Sequence, residues 1–156
     1  MRMFGAAVLA VVCLFAAVRS RAADDKAKEE AVAKDLQAFK GAWRLISREA
    51  DGKKWSEEET KDVIATVDAS GTMSVRRGDK GIGAGSVKLD PTKKPKTIDA
   101  SFTEGEHKGK TCLGIYEIDG DTLRVCVARP GDERPADLSA KAGSGHILVV
   151  YQREKK

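Results

Sequence analysis

The chain is poor in the side chains from which metal centres and nucleophilic sites are built. It holds only two histidines and three cysteines in 156 residues. His107 sits in a charged loop (GEHKGK) and reads as solvated. His146 opens the last apolar stretch and reads as a strand-end polar residue. Neither lies in a metal-ligand spacing, and two cysteines alone leave zinc short of ligands. Gly143-Ser144-Gly145 is not a nucleophile elbow. Gly81-Ile82-Gly83-Ala84-Gly85 lacks the helix that a phosphate loop requires, and marks instead a turn and a bend into a strand. The acid pairs Glu104 with Glu106 and Asp119 with Asp121 fall in turns, where acids are solvated or cap the chain. The sequence therefore gives no catalytic residue, no metal site and no cofactor, and the expectation is a protein that is not an enzyme.

A surplus of one charge is also missing. The formal net charge is +4 with a pI near 9.0. Arg2, Arg19 and Arg21 lie in a leader, described next, that carries no acid. The remainder has 25 basic and 24 acidic residues, a net of +1. That excludes nucleic acid as the expected partner. The one lysine cluster, Lys93, Lys94 and Lys96, reads as a solvated loop.

No apolar run is long enough for a comfortable membrane span. Phe4 to Val18 is charge-free and follows Arg2. Ser20-Arg21-Ala22 then offers small residues at the −3 and −1 positions of a cleavage site. Residues 1–22 read as an export signal, which places the protein in the periplasm or outside the cell, with no stable membrane insertion after cleavage. Cys13 follows Val12 inside the apolar run, so it does not read as a lipid-anchor site. The 134 residues that remain make one domain of ordinary size. Residues 23–40 read as a helical segment: acids lead, lysines follow, and Gly41 stops it, with Leu36 and Phe39 as docking residues. Residues 41–156 form the expected β domain.

After Gly41 the hydrophobic period changes to two. Strands are predicted at 43–47, 63–67, 72–76, 83–89, 97–103, 110–117, 122–128 and 146–151, with Ile98, Ala100 and Phe102 on one face of the fifth. Ser56 and Glu59 make a capping box for a short helix over about 56–61. Trp55 lies in a polar turn beside it. Eight short strands in simple order predict an all-β fold, an eight-stranded antiparallel up-and-down barrel with an N-terminal helix and a short helix after the first strand. Closure removes the exposed edges.

In TCLGIYEIDGDTLRVCVA, Leu113 and Ile115 share one face, as do Leu123, Val125 and Val127. Both sets face the core only if paired residue numbers have an even sum. A three-residue loop, Ile118-Asp119-Gly120, supplies that register and pairs Glu117 with Asp121. Cys112 then lies opposite Cys126 in a close pair, where a cross-strand disulfide is sterically allowed. Two unpaired thiols on one face is the other reading. Arg124 shares that face and reads as an exposed strand residue.

Gly41-Ala42-Trp43 at the start of eight strands resembles the G-x-W opening of lipocalins. In those barrels the Trp closes one end beneath a basic residue near the last strand, a part that the resemblance assigns to Arg153. A second resemblance runs from about Leu36 to Lys155. It rests on Leu36-Gln37, Gly41-Ala42-Trp43, Asp51-Gly52-Lys53 and the run Leu89 to Lys96. Gly109-Lys110-Thr111, Leu113 to Glu117, Asp119 to Leu123, Arg129-Pro130-Gly131, Arg134-Pro135 and Ser144-Gly145-His146 complete it. These residues are similar to a domain of unknown function abundant in planctomycete bacteria, often behind a signal peptide. Here Gln37 to Gly41 departs from members that run directly from Leu-Gln into Gly-x-Trp. The resemblance implies a fold and a compartment, with no activity attached.

The function expected from this reading is an extracytoplasmic barrel that binds a small apolar molecule. Its interior ligand residues would be Ile98, Phe102, Leu113, Ile115, Leu123 and Val125, and its barrel end would be built by Gly41, Trp43 and Arg153. The competing expectation is a structural or protein-interaction module with a filled barrel. Short strands and only eight aromatics, two of them in the leader, favour that alternative.

Overall fold

A computed structural model describes residues 12–155, with side chains from residue 21 onward. Residues 1–11 of the expected signal lie outside the described residues. Helix α1 (Val12–Phe39) runs unbroken through Ala22, and none of the described helices is long and apolar enough to cross a membrane.

Ten-residue β1 (Gly41–Ala50) follows α1. Next come β2 (Lys53–Lys54), helix α2 (Glu57–Thr60), β3 (Val63–Val67), β4 (Thr72–Arg77), β5 (Lys80–Asp90), β6 (Thr97–Glu104), β7 (Thr111–Asp119), β8 (Thr122–Ala128) and β9 (His146–Arg153). Each of β3 to β8 pairs antiparallel with its successor, β1 pairs with β3, and β9 returns to β1. The result is a closed eight-stranded up-and-down barrel, the architecture that the period-2 alternation predicts. β2 is an unforeseen two-residue spur that folds back on Glu49 and Ala50. The box at α2 forms as predicted: the Ser56 hydroxyl accepts from Glu59 N, and the Glu59 carboxylate accepts from Ser56 N at 2.8 Å.

α1 closes one end. Phe39 is buried and meets Tyr116 edge-on with centroids 5.1 Å apart. Asp35 accepts from the Tyr116 hydroxyl at 2.6 Å and from Lys96 at 2.8 Å. Lys96 thus leaves the expected solvated cluster and anchors the helix. Burial and the adjacent Asp35 carboxylate both hold the Tyr116 phenol far above its ordinary pKa.

One register differs from the sequence reading. β7 and β8 are joined by a two-residue turn, Gly120-Asp121, flanked by the pair Asp119–Thr122. Gly120 takes φ +56°, the left-handed conformation such a turn favours. Ile115 therefore lies opposite Cys126, Tyr116 opposite Val125, and the paired numbers have an odd sum. A change of one residue in the loop puts the two strands out of phase. Tyr116 and Ile118 share the inner face with Leu123 and Val125, while Leu113 and Ile115 move to the outer wall. The connection 129–145 lies against that wall. There Arg134 donates to the Ile98 and Gly114 carbonyls and pairs with Asp99 at 2.7 Å.

Candidate functional site: the open end of the barrel

The interior is divided along its axis. At the α1 end it is filled. Trp43 is fully buried, with Phe39, Val67, Leu89, Ile98, Tyr116 and Leu123 around it. The Trp43 indole donates to the Phe39 carbonyl at 2.7 Å. Arg153 is its strand partner and lies over its ring at 4.1 Å. The Arg153 guanidinium donates to the carbonyls of Lys40 (2.9 Å) and Ala38 (2.7 Å) and faces Asp121 at 3.4 Å. Gly41 lies under it at φ +129°, where a Cβ would come within 3.2 Å of the guanidinium and strain the backbone.

Toward the other end the walls stay apolar, but the space between them is empty. A cavity of about 270 Å³ extends from Trp43 to the mouth. Val63, Val75, Phe102, Val127 and Val149 are among its walls. That volume is near the lower limit of ordinary ligand sites. The polar lining includes Arg48, Arg77, Glu104, Glu106, His107 and the hydroxyl-bearing Tyr151. A separate, larger groove of about 690 Å³ runs outside the barrel between α1 and the 88–99 segment, floored by Ile115 and rimmed by Lys28, Lys93, Lys94 and Arg134.

Arg48 reaches the interior because β1 carries a bulge. Leu45 pairs with Tyr151 and Ser47 with Val150, leaving Ile46 without a partner and 52% exposed. The extra residue shifts the phase of the strand. Trp43 and Leu45 point inward before it; after it Arg48 points inward beside Val149. The Arg48 guanidinium lies over the Trp55 ring at 3.8 Å. The Trp55 amide donates to the Arg48 carbonyl at 2.8 Å. Burial lowers the pKa of Arg48, an effect countered by its attraction to Tyr151 and Glu106. Burial raises the Tyr151 phenol, and Arg48 pulls it back.

Of the interior ligand residues expected from the sequence, Ile98, Phe102, Leu123 and Val125 line this cavity. Leu113 and Ile115 do not, for the register reason above; Ile115 floors the outer groove instead. Cys112 and Cys126 are both buried and unbonded. Cys112 lines the cavity, whereas Cys126 faces the opposite side of the sheet and donates its thiol to the Ser139 carbonyl at 3.3 Å. The expected juxtaposition is absent and with it the route to a disulfide. Burial raises both thiols, that of Cys126 to about 11. Arg124 is exposed and pairs across the hairpin with Glu117 at 2.8 Å. His107 is half-buried rather than solvated, and stacks edge-on against Phe102 at 5.7 Å.

The sequence reading missed Arg48, placed Trp55 in a surface turn, and gave Tyr151 no role. The one local signal was the apolar pair Leu45-Ile46, which breaks the alternation just before Arg48. Among the described residues, no group of three or more His, Cys, Asp or Glu side chains could hold a metal ion.

The fold and site thus define a closed eight-stranded antiparallel barrel with one sealed end and one open, apolar-walled cavity. The chain matches no protein-family model, no curated protein and no solved structure. The planctomycete-type resemblance gains no support from these comparisons.

Proposed function

We propose that this barrel is exported and binds a small, mainly apolar molecule in its interior, without catalysing a reaction. The observation that carries the reading is the 270 Å³ cavity, with apolar walls and a few polar groups gathered at one end. That distribution suits a ligand whose body is desolvated while one polar group is recognised. Export rests on the apolar leader after Arg2 and on Ser20-Arg21-Ala22. The lack of turnover rests on the motif inventory of the sequence.

Titration with an environment-sensitive apolar dye tests the binding. Saturable, stoichiometric binding is expected. Val127→Phe and Val149→Phe, which fill the cavity, should abolish it, and Ile46→Phe on the outer face should leave it unchanged. A folded wild-type protein that takes up no dye overturns the reading. It would favour a filled interaction module, for which the side-chain-packed half around Trp43 already speaks.

A further inference from the structure

Arg48 is the one residue of the cavity lining, among the described residues, with a buried side-chain donor that has no partner. Its Nε is buried and is the only such side-chain nitrogen or oxygen without a hydrogen-bond partner among the described residues. None of the described ion pairs includes it. Its neighbours fix its position without meeting that need. Trp55 supports one face of the guanidinium, and a π-face accepts no in-plane N–H. Tyr151 faces the same cavity. Arg77, the other cation in the lining, donates to the Glu59 carbonyl at 2.6 Å. A buried donor left unpaired costs on the order of 1–3 kcal/mol, more when it is charged.

We propose that the cavity binds a compact monocarboxylate, with its carboxylate on the Arg48 guanidinium and its apolar body between Phe102, Val127 and Val149. This rests on the small-molecule reading above and specifies the ligand class. A guanidinium fork offers paired, parallel N–H donors, which match the two oxygens of a carboxylate. The Tyr151 hydroxyl is the second polar group available to it. Glu104 and Glu106 at the exposed mouth set the charge limit: they repel a dianion such as a phosphate monoester more strongly than a monoanion. The volume sets the size limit. At about 270 Å³ it lies just below the usual range of ligand sites and suits a compact ligand.

The test compares isosteric pairs on the full-length protein: octanoate against 1-octanol, and benzoate against benzyl alcohol, by dye displacement and calorimetry at neutral pH. Each acid should bind about tenfold or more tightly than its alcohol. Arg48→Gln and Arg48→Met should erase that preference while alcohol affinity stays within about twofold, and Arg48→Lys should retain part of it. Circular dichroism of each variant checks the fold. Equal affinity for acid and alcohol in the wild type overturns this inference, because Arg48 would then give a carboxylate no advantage, and leaves the apolar-cavity reading intact. Binding by neither member of either pair, with no dye uptake, overturns both. A preference that survives Arg48→Met assigns the carboxylate to another cation and overturns the role of Arg48.

Discussion

The barrel carries the same pair of side chains, an arginine lying on a tryptophan, at each of its two ends, and the two pairs are built differently. At the sealed end Arg153 covers Trp43, and its nitrogens are spent on two carbonyls at the end of α1 and on Asp121. At the open end Arg48 covers Trp55, and its Nε has no partner. Trp43 is fully buried in a filled core; Trp55 is half-buried at a cavity mouth. A strand of β geometry separates Trp43 from Arg48 by roughly 16 Å, so one barrel holds both arrangements. A guanidinium whose three nitrogens each face an acceptor is a latch. One with a buried donor unmatched has no such structural work to account for it. The stack on the indole is common to both and cannot be what distinguishes them.

Truncating the two tryptophans is the strongest test of that contrast. Trp43→Ala should lose about 3–5 kcal/mol, the cost of a large cavity in a closed core. Trp55→Ala should lose under about 1 kcal/mol, since it gives up one stacked cation and partial burial. Chemical denaturation reads both values, and equal losses would show that the ends are not distinct.

The arginines sharpen the same comparison at lower energy. Arg153→Met orphans the Lys40 and Ala38 carbonyls and should cost about 1–3 kcal/mol. Arg48→Met removes an unpaired buried donor at the expense of a single cation–π contact, so stability should change by less than about 0.5 kcal/mol or rise. A large loss at Arg48 would mean that its role is structural.

The smallest effect concerns the tether of α1 above the sealed end. The Asp90 carboxylate accepts from Thr92 and pairs with Lys28 at 2.9 Å, and these bonds, Thr92 first, hold its pKa at about 2 against an ordinary 3.8. A depressed carboxylate stabilises the fold fully above its unfolded pKa and progressively less as pH falls through the folded one. Asp90→Asn should therefore be slightly less stable than wild type at pH 7, and the gap should close between about pH 4 and pH 2. A gap that persists at pH 2 would assign the difference to something other than the charge.

Much of this architecture could be read directly from residue order. The alternation in Ile98, Ala100 and Phe102, the tight turns and the count of eight strands led to a closed barrel, and Ser56 with Glu59 marked α2 to within a residue. The candidate site was legible only in part. Ile98, Phe102, Leu123 and Val125 were placed inside correctly, because each lies on a strand whose inner phase its apolar residues declare. Leu113 and Ile115 were placed wrongly. Their strand has apolar residues in both phases, with Tyr116 and Ile118 as the competing set, and the choice turned on whether the loop held two residues or three. Arg48 was invisible for a related reason: its strand changes phase at Ile46.

What the sequence determined by itself was therefore the eight barrel strands, their order and their closure. These follow from period, composition and turn residues, all of which are local. Only the tertiary structure decided which face of β7 and of the second half of β1 looks inward. A period of two specifies alternation but not phase, and one residue in a turn or a bulge inverts the phase at little local cost. The burial of Trp43, Tyr116 and Leu123 around one core settles that phase, and in settling it turns Arg48 into the cavity.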